Sequence, residues 1–189
     1  MATASDTARP TTRTLSLSVL DEGTPGITPA FGASLAEAAS VCLEDQKHAP
    51  GTPLRVDGGF RDTFSLFWNP ATDQMRRCWA DPEVATEHGA YAVATLLFAS
   101  LTELTVTARS RKGTGFDYWL GPKSNRGLLF QNKARLEVSG IRNGTDSAVE
   151  ARVRQKLEQT KPTDTLLPAY VVVVEFSAPR SKVIEKCRT

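Results

Sequence analysis

Two acidic residues sit where packing alone would not put them. Asp117 interrupts the apolar run Phe116-Asp117-Tyr118-Trp119-Leu120, and Glu137 lies in a strand-like stretch from Lys133 to Ser139. A carboxylate in an apolar strand is costly to bury unless it is paired or binds a metal. Strand side chains alternate between faces, so Lys133, Arg135, Glu137 and Ser139 share one face. Ala134, Leu136, Val138 and Gly140 share the other, and the pattern assigns that face to a core helix. A strand used only for packing has no need of three charges on its first face. If the two segments are neighbours in a meander, Asp117 and Glu137 converge on a hard cation. Two carboxylates with a backbone carbonyl and waters suit Mg²⁺. Such an ion activates water and stabilises charge developing on a phosphodiester.

Cations flank these positions. Arg109, Arg111 and Lys112 fall in one loop, Lys123 and Arg126 in another, both expected at one end of the meander. Arg152 and Lys156, four apart on a helix, share a face and extend the patch. Basic loops beside a metal site suit a phosphate backbone, which makes DNA the expected partner. Each residue also has a plainer role. Asp117 and Glu137 can pair with Arg135 or Lys133. Glu87 can offset a helix dipole. His88 can be a hydrogen-bonded boundary histidine, and Ser139 an ordinary strand hydroxyl. No GxSxG, Walker loop or Cys near a His points to other chemistry.

The elements that must hold these residues follow from the pattern. Leu15–Leu20 alternates as a strand, and Ser34 with Glu37 forms a capping-box pattern that starts a helix. Leu54–Val56 and Thr63–Trp68 are strands around Asp57-Gly58-Gly59, and Met75–Trp79 is a short strand. Asp81-Pro82 opens a helix to about Ser100 that is apolar around most of its circumference. Strands follow at Glu103–Ala108, Phe116–Leu120 and Leu128–Ile141. Ser147 and Glu150 then open a helix to Thr160, and the valine-rich Tyr170–Phe176 is a strand buried on both faces. The long connection before that last strand permits parallel pairing.

At 189 residues, 40% hydrophobic and 23% charged, the chain has a globular balance, and its net charge of +2 announces no partner. Three widely spaced cysteines and two distant histidines argue against a structural zinc site and for reduced thiols. No secretory h-region or membrane-length apolar run is visible, so the expectation is a soluble cytoplasmic protein. The division read from the sequence is a disordered lead-in over 1–14, an extension or docking subdomain over 15–80, a core over 81–180 and a tail over 181–189.

Helix, three strands, helix, strand, with Asp on the second strand and an acidic residue on the third, resembles the PD-(D/E)XK, restriction-endonuclease-like nucleases. Gly115-Phe116-Asp117 matches the first half of their motif and Glu137-Val138-Ser139 the second, over about half the chain from Pro82 to Phe176. The resemblance implies an α/β fold with a mixed central sheet flanked by helices, an αβββαβ core with an N-terminal αβ extension, Mg²⁺ as cofactor and Glu87, with Glu83 as the alternative, as a first-helix acid. It departs at Ser139, where the family has a lysine that orients water and stabilises negative charge, and the proline before the motif Asp is absent. Lys133 or Arg135 would stand in, Arg135 lying on the far side of Glu137. Three readings follow: a DNA-cleaving nuclease-like subunit of a defence, repair or mobile-element system; an inactive nucleic-acid-binding descendant; and a structural subunit, homo-oligomeric or docked on a protein partner through a patch at Phe67, Trp68 and Trp79.

Overall fold

The computed structural model describes residues 13–123, 132–163, 165 and 167–187. One mixed sheet of eight strands runs through it: β1 (Arg13–Ser16), β2 (Thr52–Gly58), β3 (Asp62–Phe67), β4 (Leu104–Arg109), β5 (Tyr118–Pro122), β6 (Ala134–Ile141), β7 (Ala169–Glu175) and β8 (Arg180–Lys186), in the spatial order β1-β3-β2-β8-β7-β6-β5-β4. Strands β4, β5 and β6 form an antiparallel meander, and β7 lies parallel to β6.

Helices cover both faces. The helices α1 (Pro29–Asp45) and α3 (Pro82–Leu101) pack on one side and α4 (Asp146–Thr160) on the other; a short α2 (Asp73–Cys78) lies against α1. The valines of β7 show why. Val172 and Val174 join the large core beneath α1 and α3, while Val171 and Val173 pack with Val149 and Val153 of α4. A strand covered on both faces needs no polar side, so every residue of β7 is buried.

Several local expectations change. Leu17–Glu22 is a 3₁₀ turn, not the second half of a strand. The first long helix starts at Pro29 with Thr28 as its cap, because proline at the first position fixes φ, and Ser34 sits inside it. Met75–Trp79 is helical, set by Thr72, whose hydroxyl accepts from the Met75 amide. Thr145, not Ser147, caps α4. Residues 15–80 extend the main sheet through β2 and β8. The expected tail holds β8, between β2 and β7, since alternating Ser181 and Val183 are buried there. Of the expected lead-in, Arg13 and Thr14 belong to β1, and the rest lies outside the described residues. The patch at Phe67, Trp68 and Trp79 does not form: Trp68 is buried and donates to Glu44, Trp79 is half-buried against His88, and Phe67 alone is exposed. Among the described residues no helix is long and apolar enough to cross a membrane.

Candidate functional site

The site forms where β5 and β6 part company. Their ladder runs from Leu120 opposite Ala134 to Tyr118 opposite Leu136 and then stops as β5 ends. One further bond, from the Asp117 amide to the Leu136 carbonyl at 2.9 Å, is out of step with that ladder, since Leu136 already faces Tyr118, and it holds Asp117 against β6 just outside β5. There the Asp117 and Glu137 carboxyl groups come within hydrogen-bonding reach of each other. Beyond that point β6 is paired, among the described residues, only with β7, and the Asp117 Oδ2 atom accepts from the freed Val138 amide at 2.8 Å.

A cleft of about 790 Å³ opens over this gap. Its floor is Val138–Ile141 of β6, and its walls are the N-terminal half of α3 and the face of α4 that carries Arg152, Lys156 and Gln159. The α3 wall is close because Gly140 has no side chain: a Cβ there would lie 2.4 Å from the Thr86 carbonyl oxygen.

Glu137 is 1% exposed. Its Oε1 accepts from Lys156 Nζ at 2.6 Å and from Gln159 Nε2 at 3.0 Å. Its Oε2 is buried with no hydrogen-bond partner, the one carboxylate oxygen in that state among the described residues. Burial, followed by the charge of Asp117, pushes the Glu137 carboxyl up to about 7. Asp117 is also raised, chiefly by burial, against the opposing effect of the Val138 amide and Lys156. The two carboxyls are close enough to share a proton, and the bare Oε2 is left open to a proton or a cation.

Tyr91 of α3 closes the other side. Its hydroxyl donates to Glu87 Oε1 at 2.8 Å and lies 3.1 Å from Asp117 Oδ1. Burial and the neighbouring carboxylates raise its pKa far above the usual phenol range, so it remains a donor. Glu87, itself exposed, thus reaches Asp117 only through the phenol. Among the described residues no three His, Cys, Asp or Glu side chains gather as metal ligands; the donor set is the Asp117–Glu137 pair. The pair fits a hard cation in its oxygen chemistry and its bare Oε2, with further ligands left to backbone or water.

The expected stand-ins for the motif lysine are elsewhere. Arg135 is fully buried, donating to the carbonyls of Leu167 and Thr160 and to Thr163, with Phe116 beneath its guanidinium. Lys133 is exposed, ahead of β6. The ammonium at Glu137 comes from Lys156, placed from the sequence in a DNA-binding patch. Arg152 turns inward too, donating to Ser139 Oγ at 2.7 Å and to the Gly140 carbonyl. The basic patch is therefore divided. Arg109, Arg111 and Lys112 line a second cleft, whereas Lys123 caps the end of α3 by donating to the Ala99 and Thr102 carbonyls. Arg126 lies outside the described residues. His88 packs at a tilt against Trp79 and bonds the Val84 carbonyl, a boundary role.

Sequence reasoning missed Tyr91 and Gln159. Tyr91 shares a helix face with Glu87, four residues earlier, a usable signal. Gln159 lies three residues beyond Lys156, within reach of the same face, but nothing in its type pointed to Glu137. No protein-family model, curated protein or solved structure matches this chain.

Proposed function

We propose that this chain hydrolyses phosphodiester bonds in DNA, with Mg²⁺ held by Asp117 and Glu137, on a PD-(D/E)XK-like core made of α3, β4, β5, β6, α4 and β7. The element order and the parallel return of β7 support the resemblance. The observation that carries the reading is the buried Glu137 Oε2, which has no donor, in a carboxyl that also feels the charge of Asp117. When bound, Mg²⁺ supplies Lewis acidity, making a water nucleophilic near neutral pH and stabilising charge on the phosphoryl oxygens.

The chain's own side chains supply the rest. Lys156 places an ammonium at the cleft wall, 2.6 Å from Glu137 Oε1, where it can orient water and offset negative charge. It thus takes the role of the missing motif lysine, reaching from α4 instead of β6. The Val138 amide and the Tyr91 hydroxyl fix the Asp117 carboxyl from two sides. Ser139, at the motif position, anchors Arg152, which keeps a guanidinium on the cleft wall for a phosphate.

Nicking of supercoiled DNA with Mg²⁺, together with calorimetric titration of Mn²⁺, tests this. The wild type is expected to bind the ion and nick. Asp117→Ala is expected to do neither while keeping its circular dichroism spectrum. Cleavage retained in that variant removes these residues from the mechanism.

One observation favours a second reading. The Lys156 ammonium already neutralises Glu137, so the chain itself provides a cation at the site. A catalytically inactive, nucleic-acid-binding or structural subunit follows from that arrangement. DNA binding that persists in chelator, without cleavage under any divalent ion, selects it.

A further inference from the structure

We propose that the cleft under the turn of residues 109–115 is a second phosphate subsite, so that the substrate is an internal linkage of a polynucleotide whose backbone crosses the carboxylate pair from one cleft to the other. This rests on the phosphodiester reading above and specifies its substrate. The second cleft, of about 400 Å³, is lined by Arg109, Arg111 and Lys112. It shares Glu87, Tyr91, Asp117 and Gln159 with the larger cleft, so Asp117 stands at the seam between the two, with Glu137 beside it in the larger cleft. Arg152 and Lys156 lie on one side of that seam and the basic turn on the other. An acidic seam by itself repels a polyanion; cations on both sides offset that repulsion and fix the strand's path.

The turn is built for this use. Gly115, at φ +80°, presses the turn's base on the end of α4, where a Cβ would lie 2.3 Å from the Gln159 carbonyl oxygen. The Arg109 guanidinium lies over the rings of Tyr91 and Tyr118, 6.0 and 5.8 Å from their centroids, which ties the base to the seam. Gly113 at the tip, φ +91°, has open space where a Cβ would be. Among the described residues none of the three cations has a carboxylate partner, whereas Arg76, Arg142, Arg180 and Lys182 are all ion-paired. Their charge is available to an anion from outside.

The test uses the full chain, a labelled single-stranded DNA oligonucleotide and buffer containing EDTA. The double variant Arg111→Ala/Lys112→Ala is compared with Arg61→Ala/Arg77→Ala, which removes the same charge from exposed positions away from both clefts. The first is expected to bind about tenfold more weakly and to lower the slope of log K against log salt by roughly 1.4, about 0.7 for each lost cation. The second is expected to stay within about twofold of wild type. Equal losses in both variants, or none in either, overturn the subsite. With Mg²⁺, circular single-stranded DNA is expected to be opened. Trimming of linear DNA with circles left intact overturns the internal-linkage assignment. If neither DNA is cut while the first variant alone loses binding, the hydrolytic reading fails and the subsite stands.

Discussion

Two buried carboxylates lie on neighbouring strands, Glu137 on β6 and Glu175 at the end of β7, and their surroundings are opposite. Glu175 is 0% exposed and both of its carboxylate oxygens accept hydrogen bonds. Its Oε1 accepts from the Gly144 and Ser177 amides and the Ser177 hydroxyl, its Oε2 accepts from the Ala178 amide, and Arg180 stands 3.6 Å away. That is a structural carboxylate, tying the β7–β8 turn to the loop before α4. Glu137 has donors on one oxygen only and a second acid beside it. Desolvation is offset for Glu175 and left open for Glu137. A folded chain keeps such an imbalance where something outside the chain completes the site.

The comparison can be broken by exchanging which carboxyl matters for what. The largest effect is expected from Glu137→Gln, which should lower Mg²⁺-dependent DNA cleavage by about 10³-fold or more, roughly 4 kcal/mol of transition-state stabilisation. Glu175→Gln should leave cleavage per folded molecule near wild type; an equal loss in both variants would erase the distinction. Next in size, Glu175→Ala leaves several amide donors unmatched, and should destabilise the fold by about 3 kcal/mol. For a chain of this length that lowers the thermal midpoint by roughly 6–12 °C.

An effect of similar size concerns pH. The Glu137 carboxyl is raised in the folded state to about 7 from an ordinary 4.5. Between those values the unfolded chain releases the proton and the folded chain holds it, so stability falls as pH rises through that window. The cation-free protein should lose about 3 kcal/mol between pH 4.5 and 8, and Asp117→Asn, by removing the neighbouring charge, should shrink that loss. A chemical-denaturation series with the same slope in both proteins would show that the carboxyls do not interact. Smallest of all, Ser139→Ala removes one hydrogen bond to Arg152 and should cost about 1 kcal/mol.

Much of the frame was legible. Asp81-Pro82 marked the start of α3, the valine run marked β7, and the period-two pattern placed Arg135, Glu137 and Ser139 on the face away from α3. The site was legible in its acids and not in its bases. Arg135 and Glu137 share a face only two residues apart, yet one is tied into the loop after α4 and the other opens on a cleft. Face alternation cannot distinguish them, because the difference lies in where β5 stops. Lys156 looked like a surface cation because its helix is polar along most of its length. Its reach to Glu137 depends on how α4 lies across β6 and β7, a tertiary fact.

What the sequence determined by itself was local: which stretches are helix or strand, which strand buries both faces, and that two acids lie in or beside strand-forming runs. Periodicity and caps are properties of neighbouring residues, so a linear reading can find them. Only the folded sheet decided the rest. It brought β8 from the chain's end into the sheet's centre and supplied an ammonium from a helix to the acidic pair. It also parted β5 from β6 to open the cleft. Each of these depends on packing between segments far apart in the chain, where distances are set by the whole core and not by spacing along the backbone.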